Sequence, residues 1–93
     1  MTAPRFLDKG SPLIATVQIS KKNTMIKIVT PDKFQRDALK QGTLGRIHSQ
    51  TNNVYTVWLL DEQTMNTVII EVPLHLMAQY FRQHEHAIFP HLN

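Results

Sequence analysis

Between Gly42 and Val72 the chain passes through three short runs of strand-favouring residues, separated by stretches that contain the turn signals Asn52-Asn53 and Asp61-Glu62-Gln63. The runs are Gly42-Thr43-Leu44-Gly45-Arg46-Ile47, then Val54-Tyr55-Thr56-Val57-Trp58-Leu59-Leu60, then Thr67-Val68-Ile69-Ile70-Glu71-Val72. β-Branched and aromatic side chains suit a pleated, half-buried surface, and short polar breaks between such runs are turn signals. This spacing predicts a three-stranded antiparallel meander.

The flanking segments are read the same way. Leu13, Ala15, Val17 and Ile19 alternate with Ile14, Thr16 and Gln18, the period-two pattern of a strand with one buried face. Ser20-Lys21-Lys22-Asn23 is a polar turn and Thr24 to Val29 a second strand, so the two together predict a hairpin. Thr30-Pro31-Asp32 is a suitable helix start and Gly42 a stop, yet only Phe34 and Ala38 share a face between them. Residues 31–41 are therefore a short helix or a long structured loop. Pro73 opens a second helix, expected over 73–86, where Leu74, Met77, Ala78 and Phe81 form an apolar stripe to pack on the sheet. Residues 1–12 read as an N-terminal arm, 13–87 as one domain and 88–93 as a tail. The expected class is mainly β with α+β character, a small curled antiparallel sheet or barrel of about five strands.

The run from Met25 to about Tyr80 resembles the SH3-like and KOW-type small β-barrels. The residues that carry this are Gly42-Thr43-Leu44-Gly45-Arg46-Ile47, Tyr55-Thr56-Val57-Trp58 and Val68 to Val72. The chain departs from the pattern by an extra strand at 13–19 and a longer terminal helix. The resemblance implies a barrel used as an RNA- or DNA-contacting module, a small subunit of a larger complex, or a peptide docking site. It narrows the class of function without choosing a member.

Composition sets further bounds. Ninety-three residues amount to one domain, and 42% apolar content fits a globular chain. No cysteine is present, so disulfides and thiolate metal sites are excluded. Ordinary packing, with self-association as a further route, must stabilise the fold, and a reducing cytoplasm is the expected compartment. Met1-Thr2-Ala3-Pro4-Arg5-Phe6 has no signal-peptide core behind it, and apolar runs such as Val57-Trp58-Leu59-Leu60 are far short of the roughly 20 residues of a membrane helix. No membrane insertion is expected. The net charge of +3 is unevenly placed. Residues 1–48 hold nine Lys/Arg against three Asp, a balance of +6, and residues 49–93 hold Arg82 against four acids, a balance of −3. A polarised chain can present a basic face to an anionic partner, unless folding interleaves the halves.

Candidate contacts follow from this asymmetry. On a helix over 31–41, Lys33, Arg36 and Lys40 share an arc, although Asp37 is spaced to pair with both lysines. Lys21 and Lys22 occupy a turn, and Arg46 lies on the strand after Gly45. Phosphate contacts need only a positive charge on a reachable stem. Tyr55 and Trp58 fall on opposite faces of a regular strand, so at most one belongs to the core, and the outward one is available to stack a base. Tyr55 is the expected outward residue, because Trp58 shares its row with Thr56 and Leu60.

His84, His86 and His91 invite a metal reading, but residues two apart on a helix point roughly 200° from each other. A polar helix end is the simpler account. Catalytic signatures are lacking, since no thiol nucleophile, Gly-x-Ser-x-Gly elbow or phosphate-cradling loop occurs. Neighbouring His48 and Ser49 imply no triad, and Glu71 is expected to face outward from its strand. The reading is a non-enzymatic binding module with no cofactor. It contacts nucleic acid through Lys21, Lys22, Lys33, Arg36, Lys40, Arg46 and Tyr55. The alternative is a protein–protein adaptor or accessory subunit, since Val68, Ile69, Ile70 and Val72 are apolar on both faces of one strand.

Overall fold

The three runs form the expected meander. In the computed structural model, which describes residues 10–84, they are the long strands β5 (Leu44–Thr51), β6 (Val54–Asp61) and β7 (Asn66–Pro73). Thr51 pairs with Val54 across the Asn52-Asn53 turn, where Asn52 takes a left-handed φ of 56°. Asn tolerates that conformation better than most residues. The Asp61 carboxylate closes the next turn, its Oδ1 accepting the Gln63 backbone N–H at 3.1 Å while its carbonyl accepts from Met65 at 2.7 Å. Both turns place their polar residues where the sequence does, which is why the strand limits follow the pattern.

Five shorter strands complete the framework: β1 (Pro12–Ala15), β2 (Ile19–Ser20), β3 (Lys27–Ile28), β4 (Ala38–Leu39) and β8 (Phe81–Gln83). A 3-10 turn at Leu74–Leu76 and a single helical turn, α1 (Met77–Tyr80), lie between β7 and β8. Six strands join in the order β3-β7-β6-β5-β1-β8, and β2 and β4 make a separate two-stranded ribbon. Every pairing is antiparallel. The class is thus mainly β, as expected. The sheet does not close into a barrel, because β3 and β8 lie at its opposite edges.

One face of this sheet is the core. Leu13, Ala15, Ile47, Tyr55, Val57, Leu59, Val68, Ile70, Val72 and Phe81 are buried there. The segment between β1 and β5 folds over them and adds Ile19, Ile26, Phe34 and Leu39, while the turn after β7 adds Leu76 and Met77. Gly45 is required by this packing. A Cβ at that position would stand 2.7 Å from Leu59 Cδ2 and 2.9 Å from the Trp58 carbonyl oxygen.

Two local expectations are corrected, and one open alternative is decided. Residues 13–19 and 24–29 do not form a hairpin together. Ile19 pairs with Leu39 in the ribbon, and Lys27 pairs with Glu71 at the far edge of the sheet. Residues 31–41 hold no helix. Their apolar residues do not make a stripe, and burying Phe34 while pairing Ala38 with Ser20 satisfies them better than a helix exposing one of them.

The expected 73–86 helix stops after Tyr80, where Phe81 becomes extended at φ −137° and ψ 157°. β1 has a second edge of backbone donors and acceptors, and β8 pairs with it through Ala15↔Phe81 and Leu13↔Gln83. The stripe is altered accordingly. Met77 and Phe81 are buried, whereas Leu74 and Ala78 are exposed and Leu76 takes a core place. The arm up to Lys9 and the segment 85–93 lie outside the described residues.

Candidate functional site

Strand alternation assigns the face opposite the core. On β5, Gly45 and Ile47 turn inward, so Arg46 turns outward; on β6, Thr56 and Trp58 turn outward, and on β7 Ile69 and Glu71 do so. Register brings these into rows. Arg46 lies directly across from Trp58, which lies across from Ile69. Thr56 lies across from Glu71, whose carboxylate is 4.0 Å from Lys27 Nζ.

The expected phase of Tyr55 is thereby corrected. Tyr55 is only 5% exposed and sits in the core, and half-buried Trp58 is the aromatic that faces out. The signal for this lay on the partner strand. Tyr55, Val57 and Leu59 pair in phase with Val72, Ile70 and Val68, an uninterrupted apolar row. Burying two apolar rows together outweighs the slight advantage of Trp over Tyr in apolar character.

A bulge completes the aromatic centre. Ile47 pairs with Val57 and Ser49 with Thr56, so His48 is an extra residue without a cross-strand partner. Bulges bend a strand and re-aim a side chain. Here the His48 ring lies on Trp58 with centroids 4.5 Å apart and planes 7° from parallel. Its Nδ1 is 3.4 Å from Ser49 Oγ, and the residue is exposed. Sequence reasoning noted His48 and Ser49 only as neighbours, because a one-residue bulge leaves no mark in the hydrophobic period.

The outward face continues to one end of the sheet. Leu60, in phase with Trp58, is a wall of a cavity of about 240 Å³ shared with Arg36, Leu39, Lys40, Gly42, Thr43, Asp61, Glu62 and Gln63. Gly42 ends no helix; it carries φ +92° in the turn leading to β5. Asp61 is buried, and its Oδ2 is 3.4 Å from Arg36 Nε. Arg36 and Lys40 thus line this cavity with Leu60, and the charge of Arg36 is matched there by Asp61.

The other basic residues are separate from it. Lys21 and Lys22 occupy the turn after β2, with the Lys21 N–H donating to the Asp37 carbonyl at 2.8 Å, and Lys33 lies in the turn that precedes Phe34. These belong to the layer that covers the core face. Asp37 does not bracket Lys33 and Lys40, because no helix sets that spacing. Lys21, Lys22, Lys33 and Lys40 are exposed and enter no ion pair among the described residues.

Glu71 faces outward with its side chain 38% exposed. Among the described residues, no three His, Cys, Asp or Glu are grouped to hold a metal ion, and His86 and His91 lie outside them. No helix among those residues is long and apolar enough to cross a membrane. Comparison with protein-family models, with curated proteins and with solved structures finds no match. The fold and this face define the class directly: a small, mainly antiparallel β domain with an aromatic–cationic patch on the sheet face opposite its core.

Proposed function

We propose that the protein is a non-enzymatic binding module that contacts nucleic acid through the outward face of β5 and β6. The observation that carries this reading is the row in which Arg46 stands across from the Trp58–His48 stack. Aromatic rings beside cations are what a nucleic-acid surface needs, since bases stack on one and phosphates pair with the other. Lys21, Lys22 and Lys33 add a positive field that draws a polyanion to the domain. The residues on which the resemblance to SH3-like modules rests lie mainly in the meander of β5, β6 and β7. A reducing cytoplasm is the compartment that fits a chain without cysteine.

Fluorescence anisotropy with mixed-sequence DNA and RNA, at low and at moderate salt, tests the proposal. Binding should be present at low salt and weaken as salt rises. Absence of binding at low salt would overturn it, because screening is then at its least.

The adaptor reading has its own supporting observation. Ile14, Leu44 and Ile69 are half-buried on the same outward face as Trp58, a face that antiparallel sheets usually leave polar. A pull-down from source lysate, with and without nuclease, separates the two. Partners lost on nuclease treatment favour nucleic acid; partners retained favour the adaptor.

A further inference from the structure

We infer that the nucleic acid bound on this face is single-stranded, with one base stacked on the exposed side of His48 as a third layer over Trp58. The inference rests on the reading above and adds the strand state and the residue that selects it. His48 is the unpaired residue of the β5 bulge, and its ring is held parallel to Trp58 at 4.5 Å between centroids. One side of the imidazole is therefore covered by indole. The residue as a whole is exposed, so the opposite side is the surface offered to a ligand.

A duplex shows the edges of its base pairs in the grooves and keeps their faces stacked within. Only an unstacked base presents a face to a flat aromatic platform. Charge on the face favours the same occupant. Arg46 lies beside the platform, Arg82 is exposed at β8, and Glu71, the acid of this face among the described residues, is matched by Lys27 at 4.0 Å. A phosphate approaching Arg46 thus meets a neighbouring carboxylate that already has a counter-charge.

Trp58 is the only tryptophan of the chain, so its emission reports on the stack. The experiment titrates the full chain, at low salt, with a short mixed-sequence DNA strand and with the same strand annealed to its complement. The single strand should bind about tenfold more tightly than the duplex and quench Trp58 emission. His48→Ala should weaken single-strand binding about tenfold, within the range that loss of a stacked aromatic costs, and His48→Phe should restore it. Melting curves of both variants confirm that binding is measured on folded protein. Duplex binding as tight as single-strand binding, or unchanged affinity in His48→Ala, would overturn the inference and leave the nucleic-acid reading standing. Failure of both nucleic acids to bind at low salt overturns the two together.

Discussion

The guanidinium of Arg36 reaches the buried carboxylate of Asp61, with Nε 3.4 Å from Oδ2, and so ties the loop before β4 to the end of β6. The other carboxylate oxygen accepts the Gln63 N–H. The same residue thus closes the β6–β7 turn and anchors the covering layer. Arg36 is in this respect a structural residue as well as a wall of the cavity.

Removing Arg36 should therefore cost stability before it costs binding. Arg36→Ala leaves a buried carboxylate with its main counter-charge gone, and about 2–3 kcal/mol of destabilisation is expected from chemical denaturation. Lys40→Ala, at an exposed position with no ion pair among the described residues, should change stability by less than about 0.5 kcal/mol. A larger effect at Lys40 than at Arg36 would contradict the roles given to the pair.

Phe81 is 1% exposed and closes the core from β8. Truncating a buried Phe costs ~3–5 kcal/mol, against total stabilities of ~5–15 kcal/mol. Phe81→Ala should leave the domain marginal or unfolded, whereas its neighbour Arg82→Ala should melt like the parent. If Phe81 served as an exposed docking residue instead, thermal unfolding of the monomer would be nearly unchanged.

Gly45 permits the close approach of β5 to β6 next to Trp58. Gly45→Ala puts a methyl against the Trp58 carbonyl oxygen, backbone that cannot rotate aside, and against Leu59. A loss of about 1–3 kcal/mol is expected, together with a shift in Trp58 emission as the strands part. An unperturbed emission spectrum and melting curve would show that the strands are not held at this spacing.

Arg46 and the turn lysines should behave differently in binding. Arg46→Gln should weaken nucleic-acid binding similarly for every sequence and reduce the salt slope by about one. Lys21→Ala combined with Lys22→Ala should slow association while the ligand still quenches Trp58, because these residues act by field and lie off the platform. Loss of the quench in the double variant, with Arg46→Gln unaffected, would place the contact on the covering layer.

What the sequence determined on its own is the meander. Period-two rows and two polar turns specify β5, β6 and β7 locally, because a one-residue slip would turn every apolar side chain of a strand to water. The class of fold and the outward setting of Glu71 were legible too, and Met77 and Phe81 were expected inward, though on a helical stripe that ends before Phe81. Tertiary structure decided the rest. Phe34, Ala38 and Leu39 had too weak a pattern to choose a state, and pairing with Ile19 and Ser20 chose it for them. Phe81 left its helix because β1 had an open edge that only another strand could satisfy. Whether Tyr55 or Trp58 faced the core depended on the phase of Val68, Ile70 and Val72 on a different strand. The stack of His48 on Trp58 depended on a bulge, an extra residue whose cost and benefit exist only once two strands are side by side.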